Sequence, residues 1–202
     1  IDGGFDQSFA RDRVRISATY FYTRLQETIL FDFSGVINPV EDPFGRFGGY
    51  RNTNGGLSRG VEASAAVAAT RSLDIRAAYT YTNARERTPL VDNILRSYLV
   101  PDNLFSLVAT QRIGGRLTVS LTLLESSNYL APVLDPVSFA SRAYQFPGMK
   151  QAAVAANYRI PLSDTRAVRL FGKVSNLFDQ TYYASGFRTA GILGLGGMQF
   201  EF

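Results

Sequence analysis

The side chains of this chain that could do chemistry are carboxylates, arginines, tyrosines and the two lysines Lys150 and Lys173, because histidine and cysteine are both absent. Without histidine there is no Ser-His-Asp triad and no imidazole-ligated zinc or iron. Without cysteine there is no thiol nucleophile, thiolate metal site or disulfide framework. Only carboxylate or lysine chemistry remains. The adjacent Glu41 and Asp42 sit beside Pro43 and read as solvent-exposed turn residues. No constellation of an enzyme emerges, and the expectation is a non-enzyme with no catalytic residue, no metal ligand and no cofactor. The net charge of +4 is carried almost wholly by arginine. These arginines are spread along the chain with no basic run, so no nucleic-acid partner is expected.

The elements that must position these residues are strands. Hydrophobic residues make up 46% of the chain and charged residues 19%, which argues against disorder. The longest apolar runs, such as residues 65–69, are far shorter than the roughly 20 residues of a membrane helix. The strong pattern has period two. Val61, Ala63, Ala65, Val67 and Ala69 alternate with Glu62, Ser64, Ala66, Ala68 and Thr70; after a tight turn, Leu73, Ile75, Ala77, Tyr79 and Tyr81 alternate with Asp74, Arg76, Ala78, Thr80 and Thr82. This is an antiparallel hairpin with one apolar and one polar face. The same reading applies to residues 13–22, 116–123, 151–160, 168–175 and the final segment, whereas the facing of 104–113 is left open by its weaker alternation.

About nine strands are expected, near 1–9, 12–32, 47–70, 72–86, 98–113, 115–127, 141–160, 166–176 and 188–202. Short turns near 10–12, 70–72, 114–115 and 161–165 alternate with longer connections near 33–46, 87–97 and 128–140, and one of intermediate length at 177–187. Outer-membrane barrels pair short periplasmic turns with long extracellular loops. The expectation is therefore an all-β antiparallel transmembrane barrel segment in a bacterial outer membrane. Its apolar face would meet outer-membrane lipid, its polar face would line the interior, and its C-terminus would be periplasmic. A soluble β-barrel or sandwich also alternates, with the apolar face inward. Strands longer than the soluble mean of roughly 5–6 residues, and aromatics near strand ends at 20–22, 79/81 and 182–183, favour the membrane.

Four passages carry a family resemblance: Gly4-Phe5-Asp6 leading into residues 13–21 and Ile29; Tyr50-Arg51-Asn52 followed by Gly60-Val61-Glu62; Val174-Ser175-Asn176-Leu177-Phe178-Asp179-Gln180-Thr181-Tyr182; and the terminal Phe202 on an alternating strand. With them the chain resembles, over essentially its whole length, the C-terminal part of the barrel of a TonB-dependent outer-membrane receptor. Asn176 and Asp179 are turn formers that would close the last hairpin, and Glu62 would pair with an arginine on the interior face.

The resemblance implies a barrel of roughly 22 strands plugged by an N-terminal domain. Such a receptor takes up a scarce large ligand, such as a ferric siderophore or other iron chelate, with energy delivered through the TonB system. Residues 1–202 would be the C-terminal portion of the barrel, with plug, earlier strands and signal peptide upstream of Ile1. Tyr50, Arg51, Arg96, Tyr129 and Arg142 are the loop residues suited to an anionic aromatic chelate. Met198, Phe200 and Phe202 would form the strand captured by the barrel-assembly machinery, by edge pairing with alternate side chains setting register. The alternatives are another outer-membrane barrel, a porin or an autotransporter translocator, and a soluble β-barrel binding protein.

Overall fold

The computed structural model describes residues 1–36, 47–87, 92–138, 140–184 and 187–202. In chain order the strands are β1 (Asp2–Phe9), β2 (Val14–Arg24), β3 (Glu27–Val36), β4 (Phe47–Asn54), β5 (Gly56–Ala68), β6 (Leu73–Glu86), β7 (Asn103–Ile113), β8 (Leu117–Ser126), β9 (Tyr129–Leu134), β10 (Ser141–Phe146), β11 (Lys150–Pro161), β12 (Ala167–Ser175), β13 (Tyr183–Ala184), β14 (Phe187–Arg188) and β15 (Leu193–Glu201). Nine of them form one sheet in the order β1-β2-β5-β6-β7-β8-β11-β12-β15, every contact antiparallel. The other six pair as three two-stranded hairpins, β3-β4, β9-β10 and β13-β14.

Those hairpins are where the structure departs from the sequence reading. The expected strand 12–32 is interrupted at Leu25-Gln26, where β2 gives way to β3. The expected strand 47–70 divides at Gly55; a Cβ there would collide with the Leu25 carbonyl oxygen. The expected connection 128–140 contains β9, whose partner β10 lies in the expected strand 141–160, which breaks at Pro147-Gly148-Met149. Proline removes a ladder donor, and a Cβ on Gly148 would overlap the Ser126 carbonyl oxygen.

The register assigns each face. One ladder row runs Val14-Val67-Ile75-Ala109-Leu121-Val154-Val174-Gly194, and is wholly apolar. The row beside it on the opposite face runs Arg15-Ala66-Arg76-Val108-Thr122-Ala153-Ser175-Leu193. This fixes the facing of β7. Phe105, Leu107, Ala109 and Ile113 share the apolar face; Ser106, Val108, Thr110 and Arg112 share the polar one. Gln111, on the apolar face, folds its side chain back to Ser72 Oγ and the Arg112 carbonyl oxygen.

Cavities open on the polar face. One of about 460 Å³ is lined by Asp6, Arg15, Ser17, Ser64, Arg76 and Ser106, and a second by Arg116, Thr118, Asn157, Arg159 and Arg169. The apolar face is uncovered: Tyr20, Tyr79, Tyr81, Tyr158, Leu170, Met198 and Phe200 are all exposed. A soluble sandwich would bury this face against a second layer.

The short-turn ends of the hairpins step along the ladder. From β1-β2 to β5-β6, β7-β8 and β11-β12, the last paired row advances by one, then three, then three residues. The total advance of seven residues, roughly 23 Å over six strand spacings of roughly 4.8 Å each, is a tilt of about 39°, within the roughly 35–45° of membrane barrels. The apolar stretches shift in step. Val61 to Ala69, Leu73 to Tyr81, Phe105 to Ile113 and Ala152 to Ile160 are each nine residues long by their numbering. Nine residues cover about 27 Å along a strand, or about 21 Å across the sheet at that tilt, near the roughly 25 Å apolar band of outer-membrane barrels.

Candidate functional site

Beyond the apolar band, at the end bearing the long connections, the β9-β10 hairpin carries a small aromatic core. Tyr129 and Phe146 are directly opposite in its register, as are Ala131 and Tyr144, so all four share one face. The rings of Tyr129 and Phe146 stack with centroids 5.6 Å apart, Tyr144 meets Phe146 edge-on at 4.8 Å, and Tyr183 approaches Phe146 at 5.8 Å. The Tyr129 hydroxyl donates to the Tyr183 carbonyl oxygen at 2.6 Å. Leu130, Ala131 and Phe146 are buried, so the hairpin is packed onto the mouth of the sheet. At its tip, Asp135 accepts from the Ser138 hydroxyl at 2.6 Å and the Val137 backbone N–H at 2.9 Å. These donors hold its carboxyl below the usual range, because they favour the charged form.

Below this core lies a cavity of about 280 Å³ lined by Leu99, Leu104, Tyr129, Met149, Tyr182 and Tyr183, among others. Leu104 lies in the polar-face register with Ser126, which is bonded to Met149. The cavity therefore lies on the polar-face side of the sheet. Its wall is aromatic and apolar, suited to a flat ring or an apolar ring edge.

Of the loop residues singled out in the sequence, Tyr129 is the one in this wall. Arg96 is next to it. Its guanidinium donates to the Asn128 carbonyl oxygen at 3.0 Å and lies 3.2 Å from Asp102. Arg96 thus holds the corner from which Tyr129 emerges. Its Nε is buried and has no hydrogen-bond partner among the described residues. Arg142 lies elsewhere on the hairpin, 3.6 Å from Asp92, whose other carboxylate oxygen accepts from the Ala143 backbone N–H at 2.7 Å. Tyr50 and Arg51 lie on β4, opposite Phe31 and Leu30. Tyr50 is exposed, and the Arg51 side chain falls outside the described residues, as do Glu41 and Asp42. Arg96 is thus tied to the residue before Tyr129, while Arg142 is tied to Asp92. Phe146, Tyr183 and Met149 were missed. The Pro147-Gly148 break was the available signal for the first and last, while Tyr182 and Tyr183, read as girdle aromatics, instead line the cavity.

On the polar face the charges are mostly paired across strands. Arg15 clasps Asp6 at 2.6 Å, Arg112 meets Asp74 at 2.7 Å, and both Arg159 and Arg169 close on Glu201, at 2.9 and 2.6 Å. Glu62 departs from expectation. It lies on this face between Thr19 and Thr80, and no described arginine pairs with it. Its neighbours in the register are hydroxyls, so an arginine would have to reach across a row.

The Asn-Leu-Phe-Asp passage organises the last connection. Asn176 is 1% exposed and left-handed at φ 54°, a conformation asparagine tolerates. Its side chain donates to the carbonyl oxygens of Gln180 and Ala190 and accepts from the Gln180 backbone N–H. Asp179, also left-handed, accepts from the Ile192 backbone N–H at 3.2 Å. Both act as turn formers. In β15, Met198 and Phe200 project in the apolar rows opposite Leu170 and Val168; Phe202 is almost wholly exposed.

The sequence of residues 1–177 matches the family model described as TonB dependent receptor-like, beta-barrel. A search among curated proteins returned no match. Solved structures share the fold. The pyoverdine outer-membrane receptor FpvA of Pseudomonas aeruginosa PAO1, bound to pyoverdine, superposes with a TM-score of 0.72 at 18% identity, over 99% of this chain and 28% of that one. The siderophore receptor PirA of Acinetobacter baumannii gives 0.69 at 17% identity, over 100% and 31%. The ferric-catecholate import receptor Fiu of Escherichia coli K12 gives 0.67 at 18%, over 100% and 27%. The chain thus spans less than a third of the length of these structures. Its nine-stranded antiparallel sheet, its exposed apolar face and its sequence agree on one assignment: the chain belongs to the TonB-dependent receptor family, as a segment of the β-barrel.

Proposed function

We propose that this chain is the C-terminal wall and part of the outer mouth of a receptor that takes up a scarce, large ligand, most simply a ferric siderophore, with energy from the TonB system. The observation that carries the reading is the family match along residues 1–177. The likeness to structures described as pyoverdine, siderophore and ferric-catecholate receptors supports an iron chelate as the ligand. In this reading residues 1–202 are the C-terminal portion of the barrel, and plug and earlier strands precede them. The long-loop end faces outside, the short turns and Phe202 face the periplasm, and the apolar band meets outer-membrane lipid. The plug contacts TonB. The cavity beneath Tyr129 forms part of the ligand funnel, with Arg96 positioning Tyr129 through Asn128. Tyr50, Arg51 and Arg142 offer further contacts at the rim for an anionic aromatic chelate. Met198, Phe200 and Phe202 form the strand that the assembly machinery recognises.

The test is radio-iron uptake by cells producing the full-length receptor, with ferric siderophores of catecholate and hydroxamate type, in the presence and absence of TonB. The expected result is uptake of one class that stops without TonB. Uptake of small solutes that is indifferent to TonB and not saturable would instead mark a passive porin and overturn the proposal. Replacing Arg51 or Arg96 by Ala in the same receptor tests their ligand role, and unchanged affinity would remove them from the site.

A further inference from the structure

The apolar rows do not simply end at the long-loop side. On β2, β5 and β6 the outward register passes from the tyrosines Tyr20, Tyr22 and Tyr81 into arginine. Arg59 lies between Tyr22 and Asn83; one row further, Arg24 and Arg85 flank Leu57. Arg87 follows in the same facing, bonded through its backbone to Gly55. Arg24, Arg59, Arg85 and Arg87 are all exposed, and none has an ion-pair partner among the described residues. Their backbones lie roughly 7–14 Å apart, by strand spacing and rise, so long arginine side chains can converge on one anion. Where charge appears at the equivalent boundary of β8 and β11, Glu125 stands directly opposite Lys150 and the patch is neutral. Of the carboxylates on the β6 side, Glu86 accepts from the Ser97 hydroxyl and Asp102 is held by Arg96.

A polar outward surface just above a tyrosine girdle lies at headgroup depth in a bilayer. Four unpaired guanidinium groups there, around an exposed tyrosine and a leucine, offer paired donors for phosphate oxygens beside apolar contact for an acyl chain. We infer that Arg24, Arg59, Arg85 and Arg87 form a site for the phosphate groups of an outer-leaflet lipid, gripping the barrel's outer rim. This rests on the membrane orientation proposed above, with the long loops outside.

The experiment uses the full-length receptor in detergent, titrated with lipid A, with dephosphorylated lipid A and with inorganic phosphate. The native protein should bind lipid A at least tenfold more tightly than either control, and the Arg24→Gln/Arg59→Gln/Arg85→Gln variant should lose that preference. A charge-matched variant on the inner face, Arg116→Gln/Arg76→Gln/Arg112→Gln, should retain it. Equal binding of lipid A by the outer variant, or equal binding of free phosphate, overturns the inference. A single tryptophan at Val67, on an outward row, separates this failure from that of the membrane reading. Quenching by brominated acyl chains leaves the membrane reading standing while the lipid site falls. No quenching removes both.

Discussion

The side-chain amide of Asn176 donates to the carbonyl oxygen of Ala190 at 3.2 Å, so the residue that leaves β12 is tied to the turn that leads into β15. Two further bonds join it to Gln180. Buried polar groups that lose their partners cost about 1–3 kcal/mol each, and alanine in the left-handed region costs about 1 kcal/mol more. Asn176→Ala should therefore destabilise the last hairpin by about 2–4 kcal/mol. In the full-length receptor this would appear as a lower urea midpoint for loss of the compact, heat-modifiable band on gels. An unchanged midpoint would show that the network is dispensable.

Gly60 offers a sharper test of wall packing. It lies in β5 with the Phe21 ring over it, and a Cβ there would overlap the Tyr81 carbonyl oxygen. Gly60→Ala should cost about 1–3 kcal/mol through forced displacement of backbone and ring. Gly3, in β1, faces open space, and Gly3→Ala should stay within about 0.5 kcal/mol. Equal midpoints for the two variants would contradict the close approach at Gly60.

The tip of the β9-β10 hairpin should respond to acid. Asp135 has a carboxyl held below its ordinary range by the Ser138 hydroxyl and then the Val137 N–H. A depressed folded-state value means the stabilisation is present in full above the unfolded carboxylate range and is lost as pH falls through the lowered value. Amide exchange at Val137, corrected for its intrinsic pH dependence, should rise only on that acid side. Asp135→Asn should remove the step. A step that persists in this variant would assign it to another group.

Deleting Phe202 from the full-length receptor should lower the fraction assembled into the membrane, with Phe200→Ser having a like effect and Gly194→Ser little. The terminal aromatic is almost fully exposed and has no ladder partner among the described residues, so a large assembly defect would reflect recognition during insertion. Normal assembly of the truncated protein would leave these residues as lipid-facing surface alone.

The sheet was legible in the sequence because its two faces meet different surroundings, and period-two alternation records that difference directly. Val61-Ala69 and Leu73-Tyr81 read off their facing unaided. β7 did not, since Val108 and Gln111 each carry a side chain of the opposite character to their face; only pairing with Arg76 and Val119 fixes them. The hairpins beyond the band were less legible for a related reason. β9 is apolar on both faces and so writes no alternation, and the order of β9 and β10 comes from stacking between Tyr129, Phe146 and Tyr183, residues distant in sequence. The cavity followed from that folding and could not be read from any one segment. Asn176 was legible as a turn former, yet its three bonds depend on Gln180 and Ala190 arriving at one point.

The nine strands of the sheet alternate direction from β1 to β15, which has a topological consequence. An odd count leaves the two outer strands pointing the same way, so these edges cannot pair with each other without breaking the antiparallel rule. Any ring closed through this sheet with every neighbour antiparallel must insert an odd number of further strands between β15 and β1. A closed ring of this kind holds an even number of strands, of which this sheet supplies nine.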